Sequence, residues 1–198
     1  QRANRFASFY SSEPVARMLG RGPMFDRLRM VVDIASGLSA DRVLDVGCGS
    51  GPLFAPLASK GIHVSGIDPA DAMVALATLE ASSYPGLVDV DQRRWEELTE
   101  VDAFDLAVTL GVLDYVAQPA RLLESMGRAA PHVVGSFPAP GFRLNLRKRR
   151  YGAQGVTVHG YRATEFAPLA AEAGLQVVEC LPLGRVGNVV HFRRRALA

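Results

Sequence analysis

The chain has 198 residues, of which 48% are hydrophobic and 21% are charged, and its formal net charge is +2. This length is enough for one domain with a sizeable core, and no apolar run reaches the roughly 18 residues of a membrane span. The small charge gives no support for nucleic-acid binding. Two cysteines in unlike contexts, Cys48 and Cys180, favour a reduced, cytoplasmic compartment over a disulfide framework.

The N-terminal segment 1–37 is predicted to be largely helical. Prolines suited to a first helical turn begin two predicted helices, Pro14–Leu19 and Pro23–Ser36. The second has apolar residues at helical spacing, which is typical of a packing helix.

A glycine-rich turn follows the first predicted strand, Val43–Val46, a β-branched run bounded by turn formers. Gly47, Gly49 and Gly51 come next, before a predicted helix over Pro52–Lys60. Glycine permits positive φ and lets a ligand lie against bare backbone, while a helix start presents free N–H groups. The turn is therefore predicted to bind a nucleotide-like ligand.

The spacing of these glycines limits the kinds of nucleotide that the turn is expected to bind. The dinucleotide fingerprint is G-x-G-x-x-G, and a phosphate loop requires G-x-x-x-x-G-K-[ST]. Here Pro52 stands where the fingerprint has its third glycine, and no lysine follows. Asp45 at the strand end would repel a pyrophosphate but suits an ammonium group.

The stretch VLDVGCGSG, residues 43–51, resembles motif I of the class I S-adenosylmethionine-dependent methyltransferases. In that family the glycine loop holds the amino-acid and ribose portions of the cofactor. The resemblance implies S-adenosyl-L-methionine as cofactor, with S-adenosyl-L-homocysteine as product. The contacts expected from this motif are Asp45, Gly47, Cys48 and Gly49.

The second predicted strand, Ile62–Ile67, ends in Asp68 and Pro69. A carboxylate at this strand tip, about 20 residues beyond the glycine loop, is placed to accept both hydroxyls of a ribose. NAD enzymes share the feature, so it indicates a nucleoside without deciding which one. A helix over Pro69–Ser82 follows, and Pro69 and Met73 are expected cofactor contacts.

The third predicted strand, Leu87–Asp91, precedes the segment expected to recognise adenine. Methyltransferases of this type usually have an Asp, a small residue and an acid here. In this chain Arg94 replaces the Asp, and Trp95 and Glu96 fill the next two positions. Trp95 and Glu96 are therefore the expected adenine contacts, although Trp95 could equally be a packing residue.

The fourth predicted strand, Phe104–Leu110, ends at the same sheet edge as the glycine loop if the sheet is parallel. By resemblance, Leu110 and Gly111 flank the methionine part of the cofactor. Asp114 and Tyr115 are candidate catalytic residues that face the substrate. The Asn/Asp-Pro-Pro-Tyr/Phe signature of N-methyltransferases is absent from this position, which favours a small-molecule acceptor.

A helix over Pro119–Ala129 and a fifth strand over His132–Phe137 lead into a long segment, 138–160, predicted to be irregular. Its Arg/Lys cluster is typical of a solvated, partly helical face or of a lid over an anionic substrate. RNA is a third alternative, disfavoured by sparse aromatic residues and low net charge. By resemblance, segment 1–37 is a second lid, which would bring Tyr10 to the cofactor.

The βαβα alternation predicts a doubly wound α/β fold in a single domain, 1–198. A helix over Glu165–Ala173 and strands over Leu175–Leu181 and Gly187–Phe192 complete it. The resemblance implies a Rossmann-like, seven-stranded, mostly parallel sheet with helices on both faces. It also implies an antiparallel last strand inserted beside the fifth.

The predicted function is methyl transfer from S-adenosylmethionine to a small-molecule acceptor, polar or anionic, at an O, N or C atom. An NAD(P)-dependent oxidoreductase, a non-catalytic S-adenosylmethionine-binding module and a methyltransferase for RNA or a carrier-protein-linked acceptor are the alternatives. The four histidines are scattered along the chain, and no metal site is predicted. The sequence does not predict the oligomeric state.

Overall fold

The computed structural model describes residues 22–196. The helices and strands of this part, in chain order, are α1 (Gly22–Gly37), β1 (Arg42–Val46), α2 (Phe54–Ala58), β2 (His63–Ile67), α3 (Asp71–Ala81), β3 (Val88–Asp91), β4 (Leu106–Thr109), α4 (Pro119–Ala129), β5 (His132–Pro138), α5 (Phe142–Gly152), α6 (Phe166–Glu172), β6 (Leu175–Pro182) and β7 (Gly187–Arg194). Short 3₁₀ turns lie at Trp95–Glu97 and Ala163–Glu165.

The strands form one seven-stranded sheet in the order β3-β2-β1-β4-β5-β7-β6. The pairs among β1 to β5 are all parallel, whereas β7 is antiparallel to both β5 and β6. The strand order reverses between β1 and β4, and ligands of open α/β sheets bind at the carboxyl edge near such a switch. The predicted fold, including the antiparallel last strand beside the fifth, is confirmed.

The apolar residues of the central strands supply two cores, one on each face of the sheet. Val43 of β1 belongs to a cluster with α1, α2 and α3, and its neighbour Leu44 belongs to a cluster with α4 and α6. Successive side chains of a strand point to opposite faces, so a continuous apolar run is buried on both sides. This arrangement is the doubly wound packing that the sequence predicts.

Two predicted elements differ from the structure, and a third lies outside the described residues. The helix predicted over Pro52–Lys60 is shortened to α2, with turns at both ends. The segment 138–160, predicted to be irregular, contains the eleven-residue helix α5. The predicted helix Pro14–Leu19 and most of the predicted lid, 1–37, lie outside the described residues.

Within residues 22–196, no helix combines the length and the apolar character needed to cross a membrane. Both cysteines are free thiols: Cys48 is buried after β1, and Cys180 is exposed on β6.

Candidate functional site

The glycine loop is attached to the end of the neighbouring parallel strand. Val46 of β1 lies in register with Ile67 of β2. Beyond β1, the backbone N–H groups of Gly47 and Cys48 donate to the Ile67 carbonyl at 2.8 and 3.0 Å. The loop therefore starts at the carboxyl edge of the sheet and crosses the end of β2.

The three loop glycines serve different purposes, although all have positive φ. A Cβ atom on Gly47 would lie 2.3 Å from Val112 Cγ2, and one on Gly51 would lie 2.4 Å from the Phe54 ring. Close packing therefore requires glycine at both positions. A Cβ atom on Gly49 would meet nothing within 4 Å, so Gly49 presents bare backbone to open space.

Asp68 connects the loop to the start of α3. Asp68 is 8% exposed, and its carboxylate accepts hydrogen bonds from Gly49 N at 3.0 Å and Ala70 N at 2.9 Å. Each carboxylate oxygen has two lone pairs, so both oxygens keep capacity for a further donor. Two vicinal ribose hydroxyls are donors of the required kind.

Asp45 is buried at the end of β1, with 2% exposure. Burial is the main reason why the pKa of this carboxyl rises from 3.8 to about 7, and the Asp68 charge adds to the rise while Arg27 opposes it. An acid with this pKa favours a cationic partner, because the partner restores the charge that burial penalises.

The Cys48 side chain is a neutral thiol at physiological pH. Burial raises the pKa of this thiol, and the charges of Asp45 and Asp68 raise it further. The thiolate is the reactive form of cysteine, so Cys48 contributes shape rather than a nucleophile.

A cleft of about 200 Å³ opens at this edge of the sheet. Seven of the predicted cofactor contacts line it together, namely Asp45, Gly47, Cys48, Gly49, Asp68, Met73 and Leu110. Gly111, also expected beside the methionine part, is there too. The further lining residues, none of which was assigned a cofactor contact from sequence, are Arg27, Leu28, Ser50, Pro52, Leu53 and Val112.

The other predicted contacts are not brought into this cleft. Pro69, Trp95 and Glu96 are not among its lining residues. Trp95 packs partly buried against the core cluster of α4 and α6, and the Glu96 carboxylate lies 3.7 Å from Arg94 Nε in an exposed ion pair. The adenine contacts stay predictions, and Tyr10 lies outside the described residues.

A second, smaller cleft of about 150 Å³ adjoins the first and shares Arg27 with it. Asp114, Ser136 and Arg147 are polar residues of its lining. The Ser136 hydroxyl accepts a hydrogen bond from Gly111 N at 2.8 Å, which fixes the chain between the two clefts. The second cleft thus adjoins the first at Arg27 and at the segment that follows β4.

The two candidate catalytic residues are joined by an arginine that the sequence did not link to them. Arg147 Nη2 lies 2.6 Å from Asp114 Oδ2 and donates to Tyr115 Oη at 2.7 Å. Burial raises the pKa of the Tyr115 hydroxyl, an effect that Arg147 opposes. Asp114 itself is 5% exposed, so its carboxylate depends on the guanidinium for charge compensation.

The bare glycine backbone, the buried Asp68 carboxylate and the buried Asp45 carboxyl thus line one cleft at the carboxyl edge of an α/β sheet. Comparison with known proteins gives the family. A methyltransferase-domain family profile matches residues 6–180. The chain therefore belongs to the methyltransferase-domain family, and its resemblance to the class I S-adenosylmethionine-dependent enzymes is confirmed.

Curated relatives match about half of the chain. The ubiquinone biosynthesis O-methyltransferase of Hahella chejuensis is 37% identical over 101 residues, which cover 50% of this chain and 42% of that protein. The protein of the same name from Pseudomonas aeruginosa is 34% identical over 99 residues, covering 49% and 43%. The matched region is thus less than half the length of these relatives.

Solved structures match nearly the whole chain in fold. Magnesium protoporphyrin IX methyltransferase from Synechocystis, with bound S-adenosylhomocysteine, has a TM-score of 0.78 at 20% identity, covering 97% of this chain and 94% of that one. Burkholderia thailandensis 1,6-didemethyltoxoflavin-N1-methyltransferase has a TM-score of 0.71 at 20% identity, covering 98% and 87%.

Proposed function

We propose that this protein transfers a methyl group from S-adenosylmethionine to a small-molecule acceptor. The observation that supports this most directly is the hydrogen bond from Gly49 N to the Asp68 carboxylate, which places bare backbone beside a buried acid. The names of the curated relatives and of the two solved structures, all small-molecule methyltransferases, agree with it.

The residues of the first cleft fit the proposed cofactor. Asp68 would accept the ribose hydroxyls, the loop from Gly47 to Gly49 would border the ribose and amino-acid portions, and Asp45 would face the ammonium group. When bound, the cofactor supplies an electrophilic methyl group on a sulfonium. Holding an acceptor in line with that group provides much of the rate enhancement.

An NAD(P) cofactor fits the same residues poorly. Asp45 lines the cleft beside the glycine loop, and its carboxylate would repel a pyrophosphate. Pro52 occupies the position of the third fingerprint glycine.

The second cleft supports a small, polar or anionic acceptor. Its charged lining residues are Arg27, Arg147 and Asp114, so the cleft has more positive than negative groups. A polar group bound there would lie beside the boundary formed by Leu110 and Gly111. Asp114 and Tyr115 would then position the acceptor, with Arg147 holding both side chains.

Calorimetry with the purified chain tests the cofactor. We expect S-adenosylhomocysteine to bind in the micromolar range, and Asp68→Ala to weaken binding by roughly ten- to a hundredfold, since a hydrogen bond to a charged group contributes about 1.5–3 kcal/mol. The exposed carboxylate Asp89 offers a matched control, Asp89→Asn, which should bind as the wild type does. Binding of NAD but not of S-adenosylhomocysteine would refute the proposal.

The acceptor class requires a second measurement. Release of S-adenosylhomocysteine is followed over a panel of anionic, neutral and cationic small molecules, with tRNA and an acylated carrier protein included. We expect turnover with small anionic or polar compounds. Turnover confined to tRNA or to the carrier protein would contradict this acceptor class while leaving the cofactor assignment intact.

A further inference from the structure

Helix α5 exposes a basic and apolar side that no described residue covers. Its sequence, FRLNLRKRRYG, contains five basic residues and no acidic one. Leu144 is its only buried residue, whereas Phe142 is 83% exposed and Leu146 is 59% exposed. A large aromatic side chain left this open on a charged helix calls for an explanation.

The helical geometry gathers these exposed residues on one side. At about 100° per residue, five of them fall within an arc of roughly 120°. We define the α5 outer face as Arg149, Phe142, Leu146, Arg150 and Arg143, in their order around the helix. The apolar pair therefore has arginines on both flanks.

The opposite side of α5 is fixed to the domain. Leu144 is buried, Arg147 is ion-paired with Asp114, and the Tyr151 ring makes an edge contact with Tyr115 at 6.1 Å between centroids. These contacts hold the α5 outer face away from the core.

A broad groove of about 1080 Å³ is lined by α5, by the turn that joins β6 to β7 and by the start of α1, including Asp26. Phe142 and Arg143 line it on one side, and Arg185, an exposed residue of the turn, lines it on the other. A second element thus adds positive charge to the surface that contains the α5 outer face.

We propose that the α5 outer face docks on an anionic lipid bilayer. A helix of this kind lies in the plane of the interface, with its aromatic and aliphatic side chains in the boundary between headgroups and acyl chains and its arginines at the lipid phosphates. Charge complementarity with an anionic leaflet acts on Arg143, Arg149, Arg150 and Arg185 together. The groove beside α5 then opens at the membrane surface.

Other occupants fit the same surface less well. Single-stranded nucleic acid is bound by several stacked aromatic residues, and the α5 outer face has one. The five residues of the α5 outer face are also far fewer than the roughly 20–30 residues that each partner contributes to a stable protein interface.

Vesicle sedimentation with the full chain tests the proposal. We expect binding to vesicles of phosphatidylglycerol mixed with phosphatidylcholine, weakened by salt, and little binding to pure phosphatidylcholine. The variant Phe142→Ser/Leu146→Ser should lower the partition coefficient at least tenfold. Arg149→Gln/Arg150→Gln should lower it by roughly 10- to 30-fold, because each arginine near an anionic surface contributes about a fivefold effect.

Two other helices, α3 and α4, provide control positions. Leu79 of α3 is a 70% exposed leucine, and Arg121 of α4 is an exposed arginine. Leu79→Ser and Arg121→Gln should bind vesicles as the wild type does. Circular dichroism and binding of S-adenosylhomocysteine check that every variant is folded.

Absence of binding to anionic vesicles would overturn the proposal, and so would equal binding by Phe142→Ser/Leu146→Ser and the wild type. A dimer in light scattering that Phe142→Ser/Leu146→Ser dissociates would assign this face to a second copy of the chain instead. Without vesicle binding, faster hydrogen exchange of residues 1–21 in that variant, or tight binding of RNA, would likewise overturn it.

Discussion

At the level of single residues, the buried carboxyl of Asp45 lowers the stability of the ligand-free fold, and we expect the same carboxyl to favour ligand binding. Its carboxyl is buried and has a pKa raised to about 7, mainly by that burial. Above pH 7 the folded protein must keep this group ionised away from water, whereas the unfolded chain ionises it at its ordinary pKa. The ligand-free fold therefore becomes less stable as pH rises from 3.8 to 7.

We predict that Asp45→Asn stabilises the ligand-free protein at pH 8, on the order of 1–3 kcal/mol in the free energy of unfolding. The same change should weaken S-adenosylmethionine binding by tenfold or more, because the ammonium group loses its counter-charge. Urea unfolding measures the first effect and calorimetry the second. Asp89→Asn, at an exposed position of β3, serves as control for both.

Calorimetry at pH 7 in buffers of different ionisation enthalpy adds a proton count. Wild-type protein should release a fraction of a proton when the cationic ligand binds, since binding favours the ionised form of Asp45. Asp45→Asn should release fewer protons. Equal proton release by both proteins would mean that Asp45 does not face the ammonium group.

Among the elements, α5 is held by an arginine whose role differs from that of its neighbours. Arg147 compensates the charge of Asp114, whose side chain is 6% exposed. Arg149 and Arg150 are exposed, and no described residue forms a salt bridge with either. The basic cluster predicted from the sequence thus divides into one structural residue and several solvated ones.

We predict that Arg147→Gln lowers the free energy of unfolding by about 1–2 kcal/mol, because it leaves a buried carboxylate without its cation. Arg149→Gln/Arg150→Gln should leave stability within about 0.5 kcal/mol of wild type. Urea unfolding at pH 7 measures both. In the double variant Asp114→Asn/Arg147→Gln, part of the loss should be recovered, since the unpaired charge is gone.

If Arg147→Gln unfolds at the wild-type urea concentration, the ion pair is not stabilising. Asp114 would then have to be compensated by another group, and Arg147 would return to the solvated cluster.

Local sequence signals predicted most elements, and the failures have physical causes. The run Val43–Val46 and the loop glycines encode their conformations locally, so the strand and turn were predicted correctly. The segment 138–160 was predicted to be irregular, with a partly helical face as one alternative, and α5 was given no bounds. Pro138, Pro140 and Gly141 precede α5, and its charged sequence has few apolar residues to mark a buried helical face.

The parts of the site that depend on tertiary packing were the ones not predicted. Arg27 lies on α1, before the first strand, and belongs to no motif, yet it lines both clefts. The partners Asp114 and Arg147 are 33 positions apart in the chain, and no spacing rule relates them. Asp45, Gly49 and Asp68 were predicted because strand ends and glycine loops place ligands in a fixed way.

For the whole molecule, two buried groups give pH dependences of opposite sign. His191 is 6% exposed, and its Nε2 lies 2.9 Å from His132 Nδ1. Burial, with smaller contributions from His132 and Arg193, lowers the pKa of His191 from 6.5 to about 4. The unfolded chain therefore binds more protons here, and this contribution to stability is lost as pH falls from 6.5 towards 4.

Asp45 acts in the opposite direction over the same range, because the folded protein binds its proton more tightly than the unfolded chain does. Each group changes the free energy of unfolding by up to about 1.4 kcal/mol per pH unit. We predict that the two slopes largely cancel between pH 6 and 5 in ligand-free wild-type protein. Asp45→Asn should then lose stability steeply on acidification, and His191→Gln should gain it.

Urea unfolding at pH 7, 6 and 5 measures these slopes, with His63→Gln, at an exposed position of β2, as the control for loss of a histidine. His63→Gln should reproduce the shallow wild-type profile. Parallel profiles for Asp45→Asn and His191→Gln would show that neither buried group controls the pH dependence. Opposite slopes in these two variants would identify Asp45, at the sheet edge, and His191, in the β5–β7 pair, as the two sources of the pH dependence. Because the two contributions oppose each other in the wild type, only unfolding of the whole domain in both variants can separate them.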